Sequence, residues 1–154
     1  MAENLRGNRE GYRGYVSSRA FGGLRIPVPV QALVLRDWCQ RNGKIYKLHL
    51  NENSFPHSYM VLEGMVRNLD GLEGMLMVSM FMLPERRERR HALYDRVLAQ
   101  GVDLRFVMED MTIARPEDIE PIEEILSIHH ALARRADAHG ADDIASAVTL
   151  AGEG

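Results

Sequence analysis

Hydrophobic and polar positions follow strand-like and helix-like periods in turn along residues 12–136. Short runs of apolar residues are typical of strands, and apolar residues three or four positions apart are typical of helices. The pattern predicts four strands, at about residues 12–18, 44–50, 75–83 and 102–108. A predicted helix follows each strand, at about residues 29–42, 58–69, 84–100 and 116–136. This order predicts a single three-layer α/β domain, with a mainly parallel sheet of four or more strands and helices on both faces.

Two segments carry much of the predicted core. Residues 75–83, MLMVSMFML, are apolar except for Ser79, which is typical of a central strand buried on both faces. We interpret the methionines of this segment as adaptable core side chains. The buried face of the first helix is predicted from four apolar residues at helical spacing: Val30, Leu33, Val34 and Trp38.

Composition limits the domain count and the compartment. With 154 residues, 45% of them hydrophobic, the chain suits one core of ordinary size. We expect flexible ends at residues 1–10 and 137–154, on either side of an α/β domain at 11–136, because the ends lack a clear apolar period. The single cysteine, Cys39, predicts a buried thiol in a reducing compartment. No apolar run reaches the roughly 18 residues of a membrane span, so we expect a cytoplasmic protein without membrane contact.

The balance of charges argues against one class of partner. The formal net charge is −3 and the isoelectric point is about 6.1. Proteins that bind a nucleic-acid backbone usually present a strongly basic face. We therefore expect no nucleic-acid partner.

Polar residues that could take part in binding or catalysis concentrate in four loops that follow the predicted strands, at residues 17–27, 51–58, 79–90 and 109–116. Ligands of open parallel sheets bind outside the carboxyl ends of the strands, because loops and helix N-termini meet there. The candidate functional site is therefore expected at this edge of the sheet.

The third loop contains a cluster of arginines. Residues 85–90, ERRERR, place four guanidinium groups in the first turns of a predicted helix. Cations are mildly unfavourable at a helix N-terminus unless an anion lies nearby, and arginine suits planar anions such as phosphate or carboxylate. The pattern predicts an anion site. The alternative is a solvated helix face with an ion pair between Glu85 and Arg89.

The first loop carries Ser17, Ser18 and Arg19. The serines favour capping of the turn or hydrogen bonding to a substrate over nucleophilic attack, because no histidine is placed by local spacing to activate them. The pair Gly22 and Gly23 matches neither the phosphate loop nor the dinucleotide fingerprint. We expect no nucleotide cofactor.

Carboxylates and an imidazole are available for proton transfer. Glu52 and His57 share the second loop, and Glu109 follows the fourth strand. No spacing typical of metal ligands accompanies them, so we expect no metal. The candidate catalytic residues are Ser18, Glu52, His57 and Glu109. The candidate binding residues are Arg19, Ser79, Arg86 and Arg89.

Four stretches resemble motifs of the sporadic carbohydrate cluster protein family: GYVSSR at 14–19, LRDWCQRN at 35–42, SMFMLPE at 79–85 and FVME at 106–109. The resemblance covers about residues 11–132. It implies a role in the biosynthesis of surface glycans or sugar conjugates.

A second resemblance is more distant. Residues 85–89, ERRER, are similar to the D-R-x-x-R motif of resolvase-type serine recombinases, whose first strand, GYxRVS, bears a nucleophilic serine. This resemblance implies a resolvase-like fold and phosphate binding by Arg86 and Arg89. The arginine that precedes the nucleophile in that family is replaced here by Val16 or Ser17, which argues against DNA cleavage.

The leading hypothesis is a cofactor-independent isomerase, epimerase or lyase that acts on a phosphorylated or nucleotide-linked sugar. In it, Arg19, Arg86 and Arg89 hold the anion. The alternative is a non-catalytic, resolvase-like binding or regulatory protein that uses the arginine cluster for a protein or nucleic-acid partner. Exposed methionines and the amphipathic C-terminal helix would leave apolar surface in contact with water. We therefore also expect a homo-oligomer, in which another copy of the chain buries this surface.

Overall fold

Among the residues that the structure describes, five strands form one sheet. The computed structural model describes residues 8–53, 55 and 58–152. The strands are β1 (Tyr12–Ser17), β2 (Tyr46–Glu52), β3 (Gly74–Met77), β4 (Asp103–Phe106) and β5 (Met111–Ile113). They lie in the order β2-β1-β3-β4-β5; β1 to β4 are parallel to one another, and β5 is antiparallel to β4. The predicted α/β fold with a mainly parallel sheet is confirmed.

In the described part of the chain, four α-helices connect or follow the strands: α1 (Val28–Arg41), α2 (Met60–Arg67), α3 (Arg87–Ala99) and α4 (Ile119–Gly152). A methyl group at Gly14 of β1 would touch Leu35 of α1. The neighbouring residue Tyr15 hydrogen-bonds Glu52, whose carboxylate receives the first backbone N–H groups of α2. Successive residues of a strand point to opposite faces, so α1 and α2 cover opposite faces of the sheet.

The buried face of α1 differs from the predicted one. Leu35, Trp38 and Cys39 are buried, whereas Val30 is 44% and Leu33 is 65% exposed. Trp38 belongs to both faces, and Leu35 rather than Leu33 packs against Gly14 of the sheet. The expected burial of Cys39 is confirmed.

The predicted central strand is shorter than its apolar run. β3 ends at Met77, and the chain continues through a 3-10 turn at Met80–Met82. Ser79 causes the break, because its Oγ accepts a hydrogen bond of 3.2 Å from the N–H of Phe81 and so starts the turn. Met80 and Met82 are nevertheless buried, so the turn remains part of the core. The following helix begins at Arg87 rather than at residue 84.

The C-terminal half of the chain shows two further differences. Residues 111–113, predicted as loop, form β5 after a turn in which Asp110 has a φ of 51°. The last helix, predicted at 116–136, runs over Ile119–Gly152, since its alanine-rich second half favours helix. Flexibility of residues 1–10 and 137–154 stays a prediction, and residues 1–7 lie outside the described part.

The chain divides into two compact units, Met1–Ile119 and Glu120–Gly154. The first contains the whole sheet and α1 to α3, and the second is the body of α4. None of the helices in the described residues is both long and apolar enough to cross a membrane. All the candidate residues belong to the first unit.

Candidate functional site

The carboxyl ends of the parallel strands bring the predicted residues to one edge of the sheet. Ser17, the last residue of β1, pairs with Glu52, the last residue of β2. Met77 of β3 pairs with Phe106 of β4, and the chain leaves these strands toward Ser79 and Glu109. Three groups of contacts occur along this edge, around Glu52, around Tyr59 and around Glu109.

Glu52 is buried and holds the start of α2. Its Oε1 accepts a hydrogen bond from the N–H of Val61 (3.0 Å), and its Oε2 accepts from the N–H of Leu62 (3.1 Å) and the hydroxyl of Tyr15 (2.7 Å). The residue before α2, Tyr59, makes no side-chain cap. Glu52 therefore supplies the cap from β2, at the end of the helix dipole that favours a carboxylate. Its predicted role in proton transfer stays a prediction.

The two serines of the first loop have different surroundings. Ser17 is buried, and its Oγ accepts a hydrogen bond of 3.1 Å from the N–H of Arg19, which is the capping role predicted for this loop. The amide of Gln31 also fixes the backbone of Ser17, because Oε1 accepts from its N–H (3.2 Å) and Nε2 donates to its carbonyl (2.7 Å). Ser18 is exposed.

Arg19 joins the first loop to the second. Its Nη2 donates to the carbonyl oxygens of Phe55 (3.2 Å) and Ser58 (2.5 Å). Its guanidinium carbon lies 4.1 Å from the centre of the Tyr59 ring, within the range of a cation–π contact. Burial raises the pKa of Tyr59, and the charge of Arg19 partly opposes that effect. The neutral phenol is therefore the form that lies against the guanidinium.

Arg86 and Arg89 line one cleft of about 370 Å³ together with Tyr59, Pro84 and Glu85. Arg89 lies 5.9 Å from the centre of the Tyr59 ring, so Arg19 and Arg89 both approach this side chain. Arg89 also forms a 3.6 Å ion pair with Glu63, but both side chains are about 40% exposed, so the pair is weak. The structure thus brings the three predicted anion-binding arginines together around Tyr59.

The other two arginines of the cluster lie elsewhere. Arg90 is buried, and its Nη1 donates to the carbonyl oxygens of Pro84 (3.1 Å) and Glu85 (2.6 Å). Arg87 contacts His91, with 3.3 Å between Nε and Nε2. Arg90 therefore stabilises the turn before α3, and neither residue lines the cleft.

Ser79 and Glu109 form a separate pair. The hydroxyl of Ser79 donates to Oε1 of Glu109 at 2.5 Å, and the N–H of Met80 donates to the same oxygen at 2.9 Å. Both residues line a second cavity, and none of the described residues lines both this cavity and the arginine cleft. The candidate residues that the structure describes therefore do not line one common pocket. His57 lies outside the described residues.

Two residues of the site carry no prediction from the sequence. Gln31 is fully buried one helical turn before Leu35, and a polar residue within an apolar stripe is the signal that points to it. Tyr59 is the side chain on which Arg19 and Arg89 converge. No local pattern indicates Tyr59, because its partners come from the first loop and from α3.

The chain is similar in fold to two solved recombinase structures. One is the N-terminal catalytic domain of TP901-1 integrase, with a TM-score of 0.57 and 12% identity over 80% of this chain and 98% of that one. The other is a resolvase family site-specific recombinase from Streptococcus pneumoniae, with the same TM-score and identity over 87% of this chain and 98% of that one. No protein-family model and no curated protein matches the sequence.

These comparisons correct the leading hypothesis. The predicted enzyme of carbohydrate biosynthesis, with an anionic sugar as substrate, is wrong, because the structural neighbours are recombinase domains. The expectation of no nucleic-acid partner is wrong for the same reason. The resemblance to resolvase-type domains is confirmed at the level of the fold, and no family model supports the resemblance to sporadic carbohydrate cluster proteins.

Proposed function

We propose that this protein is a non-catalytic, resolvase-like DNA-binding or regulatory protein that holds a backbone phosphate in the arginine cleft. The observation that carries the proposal is the convergence of Arg86 and Arg89 on one cleft, with Arg19 against the same Tyr59 ring. The neighbours in fold are a site-specific recombinase and an integrase domain, which makes DNA the first partner to test.

The chemistry of the cleft favours a phosphodiester. Arginine presents paired N–H donors that match two phosphate oxygens, and the N-terminus of α3 adds a partial positive charge. The volume of about 370 Å³ lies within the ~300–1,000 Å³ typical of ligand sites. Although the net charge of the chain is −3, Arg86 and Arg89 outweigh Glu85 in the described lining of the cleft, which is therefore positive.

The surroundings of Ser17 support the non-catalytic part of the proposal. A serine nucleophile needs an accessible Oγ and an activating base. Ser17 is buried, its Oγ accepts the N–H of Arg19, and it is not among the described residues that line the cleft. Among the described residues that line the cleft there is no histidine.

The test is binding of a labelled DNA duplex by fluorescence anisotropy, at several salt concentrations. Wild-type protein is expected to bind at low salt and to lose affinity steeply as salt rises. Arg86→Ala and Arg89→Ala should each weaken binding and reduce the salt slope by about one unit. Arg87→Ala is the matched control, because it removes the same charge from the same helix but not from the cleft.

Two outcomes would overturn DNA binding at this cleft. One is no retention of DNA by the wild-type protein even at low salt. The other is an equal loss of affinity in Arg86→Ala, Arg89→Ala and Arg87→Ala, which would indicate general attraction rather than a site.

A separate measurement tests the absence of catalysis. Protein incubated with supercoiled DNA and then denatured should show no covalent protein–DNA adduct on a gel. An adduct that forms with the wild type and disappears in Ser17→Ala or in Ser18→Ala would overturn the non-catalytic part, even if binding at the cleft is confirmed.

A further inference from the structure

A second cavity, of about 190 Å³, lies apart from the arginine cleft. Its walls come from the first loop, from the turn after β3 and from the end of β4. The lining residues are Phe21, Gly22, Leu24, Ser79, Phe81, Met108 and Glu109. The DNA-binding proposal uses none of these residues, so the two sites can be tested independently.

A tight hairpin forms one wall of this cavity. Phe21 and Leu24 exchange two backbone hydrogen bonds, of 2.8 and 2.9 Å, across Gly22 and Gly23. Both glycines have positive φ, 56° and 77°, which this two-residue turn requires. A Cβ on Gly22 would lie 3.1 Å from the ring of Phe81, so the turn sits directly on that ring. Backbone and ring together make this wall well defined.

The lining is largely apolar, and part of it faces solvent. Phe21 is buried, whereas Leu24 is 50% and Met108 is 55% exposed. Two large apolar side chains beside a cavity give up contact with water when a ligand covers them. Methionine also adapts to ligands of different shape.

The polar part of the lining includes the carboxylate of Glu109, one oxygen of which has no hydrogen-bond partner among the described residues. Oε1 of Glu109 accepts hydrogen bonds from Ser79 and from the N–H of Met80. Oε2 is buried, and within the described residues it has no hydrogen-bond partner. A buried acceptor without a donor costs on the order of 1–3 kcal/mol. A ligand donor that reaches this oxygen would supply the missing hydrogen bond.

We propose that this cavity binds a small organic ammonium ion, with its apolar body against the apolar lining and its charged group at the carboxylate of Glu109. The carboxylate attracts a cation and repels an anion. The volume corresponds to about six water molecules, too little for a nucleotide, so the ligand is a compact amine.

The experiment uses benzylamine as the probe and follows the methyl signal of Met108 by NMR in protein with labelled methionines. Benzylamine should shift this signal to saturation. Benzoate, of the same shape but opposite charge, should not shift it, and benzyl alcohol should bind about tenfold more weakly because it lacks the charge.

Matched variants locate the site. Glu109→Gln should weaken benzylamine binding about tenfold, whereas Asp110→Asn removes the same charge from the neighbouring residue and should change it less than about twofold. Asparagine tolerates the φ of 51° at this position. Leu24→Ala should also weaken binding, and Leu33→Ala, which changes a similarly exposed leucine on α1, should not.

Three results would overturn the proposal: no saturable shift at Met108, equal binding of benzoate and benzylamine, or equal effects of Glu109→Gln and Asp110→Asn. If Glu109→Gln does not fold, the comparison of benzylamine binding between Leu24→Ala and Leu33→Ala tests the proposal instead, and equal binding by these two variants would overturn it. Both leucines are substantially exposed, so neither change threatens the core.

Discussion

The hydroxyl of Tyr15 donates a 2.7 Å hydrogen bond to Oε2 of Glu52, inside the protein and between two adjacent parallel strands. The same carboxylate caps α2, so a single buried group connects β1, β2 and the helix that leads to Tyr59. The pKa of Tyr15 lies far above its usual range, first because the side chain is buried and second because it hydrogen-bonds Glu52. The phenol therefore stays protonated and remains a donor.

We expect Tyr15→Phe to lower the free energy of unfolding by about 2 kcal/mol, because it removes a donor from a buried carboxylate. Urea denaturation followed by circular dichroism measures the change. Tyr46→Phe is the control, since the hydroxyl of Tyr46 hydrogen-bonds a half-buried histidine, His49, at 3.0 Å rather than a buried carboxylate. A loss in Tyr46→Phe as large as that in Tyr15→Phe would contradict the importance given to the carboxylate.

The arginine cluster should separate into residues that stabilise the fold and residues that do not. Arg90→Ala removes two donors to backbone carbonyls next to α3 and buried packing of its alkyl chain, with an expected loss of about 2–3 kcal/mol. Arg86→Ala, at an exposed position, should stay within about 0.5 kcal/mol of the wild type. Equal stabilities of the two variants in urea denaturation would be inconsistent with this division.

The sequence predicted the fold better than the site. Apolar period and turn residues are local properties, so the parallel strands and the first three helices lie close to their predicted positions. The break at Ser79 was not predicted, because a buried 3-10 turn and a buried strand both need continuous apolar residues. The burial of Leu35 instead of Leu33 was not predicted either, since Trp38 belongs to both the predicted and the observed face of α1.

The sequence predicted one pocket, whereas the structure has an arginine cleft and a second cavity with different lining residues. Topology alone brings candidate residues to one edge of the sheet, and the sequence indicates that topology. Arg86 lines the cleft that contains Tyr59, and Glu109 lines the cavity that contains the hairpin at residues 21–24. Which residues share a pocket therefore depends on the positions of Tyr59 and of this hairpin. Those positions follow from contacts across the sheet edge, such as Arg19 on Tyr59 and Gly22 on Phe81.

Gly74 should not tolerate a side chain. A Cβ at this position would collide with the backbone oxygen of Asp103 and lie 2.9 Å from the ring of Tyr12. We expect Gly74→Ala to cost at least about 2 kcal/mol, because the backbone of β4 cannot move without breaking its pairing with β3. Thermal denaturation measures the effect.

The control for this prediction is Gly64→Ala. A Cβ at Gly64, within α2, meets no atom within 4 Å. Alanine favours the helix there by about 0.5–1 kcal/mol, so this variant should be more stable than the wild type. Destabilisation by both changes to a similar extent would mean that steric conflict with β4 is not the cause at Gly74.

Alkaline pH should weaken the fold through Tyr12. Its hydroxyl donates to Oδ2 of Asp103 at 2.9 Å and accepts from Nε of Arg105 at 3.3 Å. Burial, and then the charge of Asp103, raises the pKa of Tyr12 to about 12, whereas the pKa of an exposed tyrosine is about 10. Between these values the unfolded chain loses the proton and the folded protein keeps it. Stability from this group is complete below about pH 10 and is lost as pH rises toward 12.

The expected slope is about 1.4 kcal/mol per pH unit for this one group. Urea denaturation at successive pH values from 9 upward measures it, as the difference between the wild type and Tyr12→Phe. That difference should fall across the window, because phenylalanine has no proton to lose. Leu48→Ala, a change at an exposed position, should instead give a curve parallel to the wild type. A constant difference between the wild type and Tyr12→Phe would show that Tyr12 does not ionise differently in the two states.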